Sequence, residues 1–229
     1  MYKIYLSPAA HGRDNPCRYD SACGENIHCN LYIDELEPYL LACGFAVKRN
    51  PKDRTGDRLK EAIAESNAWG ADLHYVAHTN AGGGAYSLLM VYDQGTAYGY
   101  AEKLAARRRE IYAGNVKIQV QPQWAELQQT VAPAIYDEMV FHDNVKEITW
   151  FHEHLREMAE ATAKAICDMF GAAFVDPYAK PAEPAPEPEP DGDVWYRVQV
   201  GAFREKANAD RLCAELQGKG YAAFVKAGA

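Results

Sequence analysis

The stretch APAIYDEMVFHDN, residues 132–144, is an apolar run broken by two adjacent carboxylates, Asp137 and Glu138. A continuous apolar run of this length, bounded by polar residues, reads as a strand buried on both faces. A buried charge without a partner is expensive. Each acid therefore needs a salt bridge or a place in a reactive site. Side chains alternate along a strand, so the two point to opposite faces of the sheet and need separate reasons.

Further strands and helices alternate around this run. KIYLS (3–7), FAVKR (45–49), ADLHYVAHTNA (71–81) and AYSLLMVYD (85–93) read as strands. Between them, ENIHCNLYIDELEPYLLACG (25–44) reads as a helix with Ile27, Leu31 and Leu40 apolar and Gly44 closing it. Pro38 is expected to kink that helix or restart it. TGDRLKEAIAESNAWG (55–70) and GTAYGYAEKLAARRREIYA (95–113) are helical, and two more helices fill 146–170. The fold class is α/β: a mostly parallel twisted sheet of about six strands, flanked by helices on both faces.

The bulk numbers agree with that reading. The 229 residues are 48% hydrophobic, ample for a core, and the net charge of −8 argues against nucleic acid as a partner. No stretch approaches the ~20 apolar residues of a membrane-spanning helix. MYKIYLSPAAHG enters a strand at once, without the pattern of a signal peptide. The expectation is a chain made in the cytoplasm without a signal peptide, with its cysteines reduced. Cys17, Cys23 and Cys29 are evenly spaced but lack the short pairing of structural zinc sites, so no metal is expected there.

Residues 176–193, DPYAKPAEPAPEPEPDGD, hold six of the twelve prolines and six acids. Such a segment favours extended polyproline II and acts as a spacer. The domains are then 1–175, a linker 176–193 and a small piece 194–229, with net charges of −6, −5 and +3.

In open α/β sheets ligands gather beyond the carboxyl ends of the strands. His11 follows the first strand, His78, Thr79 and Asn80 end the third, and Glu138 lies in the last, ahead of His142 and Asp143. Glu25 opens the first helix, where an acid suits the dipole. Two histidines and a carboxylate on one edge suit a His₂Glu zinc site with an open position. Spacing alone favours surface or internally bonded histidines over a metal site, and by spacing His74, which shares a strand face with His78, is as able a ligand.

The order of the motifs carries more. LSPAAHGRDN (6–15), GENIHCNL (24–31), NAWGADLHYVAHTNA (67–81) and ELQQTVAPAIYDEMVFHDN (126–144) resemble, in sequence, the blocks of the zinc-dependent N-acetylmuramoyl-L-alanine amidases, above all the endolysin branch. The resemblance covers about residues 2–170 and implies that His11, Glu25 and His78 ligate zinc and that Glu138 is the catalytic carboxylate. Asn80 is a substrate-binding candidate beside them. The implied substrate is peptidoglycan, cut at the amide between N-acetylmuramic acid and L-alanine. The chain would act on the cell wall after release. The resemblance is inexact in two places. AAHGR stands where the family has P-G-H-G-G, and Met139-Val140 where it has an apolar residue and glycine, which is expected to leave the strand end less open.

Other features have plainer readings. Arg107-Arg108-Arg109 suits a solvated helix end, AGGGA (81–85) is a turn without the lysine of a phosphate loop, Asp137 is structural, and His152 and His154 lie on a surface helix. WYRVQVGAFREKANADRLCAELQGKGYAAFVK (195–226) reads as strand, helix, strand, with Ala207, Leu212 and Leu216 inward. It resembles one half of a SPOR domain, a module that binds glycan strands stripped of stem peptides. So short a piece lacks a core of its own, and pairing into a homodimer through it is one arrangement it allows. Against the amidase stand a zinc peptidase or deacetylase with the same ligands, and a non-catalytic wall-binding protein on the same fold.

Overall fold

A computed structural model describes residues 1–10, 15–20, 22–50, 58–179 and 198–227. The chain divides into two units, Met1–Ala179 and Lys180–Ala229. His11, the opening of the second helix at Thr55, and most of the spacer (180–193) lie outside the described residues.

The first unit runs β1 (Lys3–Pro8), α1 (Glu25–Ala42), β2 (Ala46–Arg49), α2 (Leu59–Trp69), β3 (Leu73–Asn80), β4 (Tyr86–Val91), α3 (Thr96–Ile111), β5 (Asn115–Val120), α4 (Ala125–Gln128), β6 (Ala134–Phe141), α5 (Val145–Glu153) and α6 (Leu155–Phe170). The six strands form one sheet in the order β2-β1-β3-β6-β4-β5. Neighbours are parallel except β4 and β6, which run antiparallel. β5 has no counterpart in the sequence reading. It is an edge strand in which only Val116 is buried, so its sequence NVKIQV carries little of the apolar signal that marks the central strands.

Alternation along the central strands divides the core. Leu73, Tyr75 and Ala77 of β3 and Ile135 and Met139 of β6 join the large cluster that includes residues of α1, α3, α5 and α6. Val76, Ala134 and Tyr136 face the other way, into a small cluster with Met90 and Leu127 packed by Trp124 and Leu88. The second face is thus thinly covered, and His78 and Glu138 lie on it.

Three details differ from expectation. α1 runs through Pro38 as one helix and does not restart there, because Tyr32, Ile33, Leu36, Tyr39 and Leu40 are buried on both sides of the proline and packing outweighs the lost backbone bond. Its buried stripe also carries Glu25, His28 and Cys29, while Ile27 and Leu31 are exposed. The apolar face expected from Ile27 and Leu31 is therefore rotated. Arg108, read as part of a solvated helix end, is fully buried, with one nitrogen 2.6 Å from Asp137 Oδ2. Tyr75 donates to the same carboxylate at 2.6 Å. Asp137 thus has its structural reason: a buried, hydrogen-bonded ion pair, the arrangement that lets charge stay inside.

In the second unit, the expected helix α7 (Lys206–Gly218) forms with Leu212 and Leu216 half-buried, but Ala207, expected inward with them, is exposed. The flanking segments, expected as strands, are not strands among the described residues, and Val198, Val200, Tyr221 and Phe224 are exposed. A strand needs a neighbour to satisfy its backbone, and two short segments around one helix build little core.

Candidate active site

Glu25 is the first residue of α1, after an extended Gly24, and only 2% exposed. Its Oε1 lies 2.9 Å from His78 Nδ1 and accepts from the Thr79 amide at 3.1 Å. Its Oε2 accepts from the Asn15 side chain at 2.7 Å. Burial alone would raise its pKa, but the His78 ring and these donors hold it down to about 2. Burial disfavours the protonated His78 ring, and Glu25 outweighs that and raises its pKa.

β3 and β6 pair in parallel with His78 opposite Glu138. The two side chains therefore share a sheet face, and the Tyr136 ring lies 4.5 Å from the His78 ring between centroids. Glu138 is 8% exposed, and its Oε2 has no hydrogen-bond partner among the described residues. Burial, with help from Glu25 and Asp137 and against His78, pushes its pKa up to about 7. A buried carboxyl poised near neutrality is what a general base requires. Immediately beyond this pair the register shifts, Asn80 pairing with Phe141, so β6 carries an extra residue. Met139 and Val140 both pack into the helix-side core as a result. The residues expected to crowd the strand end are turned away from Glu138.

The donor set suits a metal. An imidazole nitrogen and a carboxylate oxygen 2.9 Å apart approach the ~3.3 Å between two ligands of one tetrahedral zinc. The unpartnered Glu138 oxygen lies on the same sheet face.

Beside this centre a cleft is lined by Ser7, Pro8, Asn50, Arg58, His78 and Glu126. Glu126 was not anticipated. It accepts from Ser7 Oγ at 2.5 Å and meets His74 Nε2 at 3.1 Å. Burial would raise its pKa, but His74 and Ser7 hold it down. That contact, with the ring stacked on Tyr5, engages His74 apart from the Glu25–His78 pair. No local pattern marks Glu126, whose partners are 52 and 119 residues away.

Asn80 sits two residues past His78, half-buried, its side-chain oxygen accepting from the Ala81 amide. The FHDN segment braces the glycine turn after β3. His142 donates its backbone amide to the Asn80 carbonyl, Asp143 accepts from the amides of Gly82 and Gly83, and Asn144 donates to the Gly84 carbonyl. Gly82 and Gly83 have φ of 116° and 70°, and a Cβ on Gly84 would run into the Phe141 ring. On the other side of β3, Thr79 Oγ1 joins His28 Nε2 at 2.6 Å and His142 Nδ1 at 3.0 Å. Burial drives the His28 pKa down to about 3, keeping its ring neutral. The spacing of Glu25 and His28, three residues apart on one helix face, was a readable sign that the ring lies inside.

The likeness of the chain to known proteins follows the same lines. Residues 160–227 match the SPOR domain family. The chain is 29% identical to the N-acetylmuramoyl-L-alanine amidase CwlM of Bacillus licheniformis, over 98% of this chain and 85% of that protein. Among solved structures, the N-acetylmuramoyl-L-alanine amidase AmiC2 of Nostoc punctiforme superposes with a TM-score of 0.65 at 14% identity, covering 74% of this chain and 97% of that one. The catalytic domain of the CD27L endolysin targeting Clostridia difficile gives 0.62 at 17%, covering 73% and 98%. Homologues and structural neighbours of this chain are thus N-acetylmuramoyl-L-alanine amidases, which are hydrolases, and its C-terminal region is similar to the SPOR domain.

Proposed function

We propose that this chain is a zinc-dependent hydrolase of the amide between the lactyl group of N-acetylmuramic acid and the L-alanine of peptidoglycan stem peptides. The observation that carries the reading is Glu138. It is buried, one oxygen lacks a partner among the described residues, and it stands in register with His78, whose ring meets Glu25.

In this reading His11, Glu25 and His78 hold the zinc. Bound there, zinc would supply a water of lowered pKa and polarise the scissile carbonyl. Glu138 takes the proton from the attacking water and returns it to the departing amine, which leaves poorly unprotonated. The Asn15 side chain and Thr79 amide fix the Glu25 carboxylate, leaving it anionic and oriented. The glycine turn keeps the ground beside His78 free of side chains, and Asn80 meets the substrate there. The SPOR region binds the glycan that hydrolysis leaves bare, holding the enzyme on a partly digested wall after its release from the cell.

Digestion of purified peptidoglycan tests this. New L-alanine amino termini without new reducing sugar ends, abolished by a chelator and restored by zinc, are expected. New reducing ends, or termini at another residue, would replace the amidase with a different wall hydrolase. Wall binding without new ends would leave a binding protein.

A further inference from the structure

A second group of metal-type ligands lies across the sheet from Glu138. Cys17 Sγ, Cys23 Sγ and one ring nitrogen each of His28 and His152 all fall within 4.8 Å of one another. We propose that these four side chains form a closed Cys₂His₂ zinc site, separate from the Glu25–His78 centre, that pins the loop before α1 to α5.

The distances suit that ion. Cys23 Sγ is 3.4 Å from His28 Nδ1 and 3.5 Å from His152 Nε2. Zinc bonds of about 2.3 Å to sulfur and 2.0–2.1 Å to nitrogen, at tetrahedral angles, put such atoms about 3.5 Å apart. Four protein ligands leave no open position, the mark of a structural rather than a catalytic zinc.

The surroundings are built for these rings and thiols. Binding through Nδ1 leaves His28 Nε2 to its 2.6 Å contact with Thr79 Oγ1, the outer hydrogen bond that fixes a metal-bound imidazole. Tyr19 stacks on the His152 ring with centroids 3.9 Å apart. Asp20 accepts from the Cys23 amide, and Cys17 donates its own amide to the Cys23 carbonyl, so the two thiols are drawn together by the loop itself. Cys17, Cys23 and His28 are buried while His152 and Tyr19 reach the surface, which provides a way in. On binding, both thiols release their protons to solvent.

The consequence for the first centre is positional. Asn15 contributes both its side chain and its carbonyl to Glu25, and it opens the loop that Cys17 and Cys23 anchor.

The test uses the full-length reduced protein and a thiol-directed mercurial, with zinc counted by mass spectrometry and released zinc by a chromogenic chelator. About two zinc ions per chain are expected, one released by the mercurial because only this site has thiolates. Cys23→Ser should abolish that mercurial-released zinc and keep the other, and His78→Ala should do the reverse. Cobalt-loaded wild type should show a thiolate-to-cobalt charge-transfer band that His152→Gln weakens severalfold. No mercurial-released zinc from the wild type, or a Cys17–Cys23 disulfide in the isolated protein, overturns the proposal. These readouts need no activity, so they stand or fall apart from the amidase reading.

Discussion

Asp137 and Glu138 are chain neighbours with opposite electrostatic settings. Asp137 is saturated by Arg108 and Tyr75, and removing it strands a fully buried guanidinium. Asp137→Ala is therefore expected to cost about 3–5 kcal/mol, read as a lowered midpoint in urea. Glu138 lacks such partners, so Glu138→Gln should leave the unfolding free energy within about 1 kcal/mol of wild type while lowering turnover about 10²–10⁴-fold. Zinc content, measured on the same sample, should be unchanged. Wild-type turnover in the Glu138→Gln variant would sink the proposed mechanism. The sequence distinguished these two acids only by face. The identity of the Asp137 partner was hidden, because a run of three arginines on a helix gives no sign of which one turns inward.

At the level of elements, the site depends on parallel pairing of β3 with β6, which sets His78 beside Glu138, and on the bulge that follows. The turn after β3 is held by three consecutive residues after Phe141, each engaging that turn or the strand end before it. Gly84→Ala should destabilise by about 1–3 kcal/mol, because the new methyl must displace the Phe141 ring; thermal melting measures it. Asp143→Ala frees the Gly82 and Gly83 amides at an exposed turn, so its effect on stability should stay below about 1.5 kcal/mol. Its signature should be a raised KM for wall fragments with kcat little changed. The central strands and most helices were legible in the sequence because apolar runs and caps mark them. β5 was not, since an edge strand with one buried residue barely differs from a loop.

On the scale of the molecule, the first unit owns the sheet, both core clusters and every described residue of the proposed centre. A chain ending at Ala179 is expected to fold with the same thermal midpoint and to hydrolyse soluble wall fragments at the full-length rate. It should lose retention on insoluble wall stripped of stem peptides, measured by sedimentation. Equal sedimentation of both chains would remove residues 180–229 from wall binding. No helix among the described residues is long and apolar enough to cross a membrane.

The sequence by itself determined the alternation of strands and helices, the α/β class, the acidic proline-rich break and the set of chemically competent residues. Each of these is encoded locally, by hydrophobic runs, caps, composition or an ordered motif. Tertiary structure decided which competent residues meet. It brought His78 to Glu25 across 53 residues, gave His74 to Glu126, and paired Asp137 with a buried arginine. It also brought His152 to Cys23 across 129 residues, where the cysteine spacing alone showed no site. Burial and long-range pairing set these contacts, and neither has a period that a single stretch of chain can display.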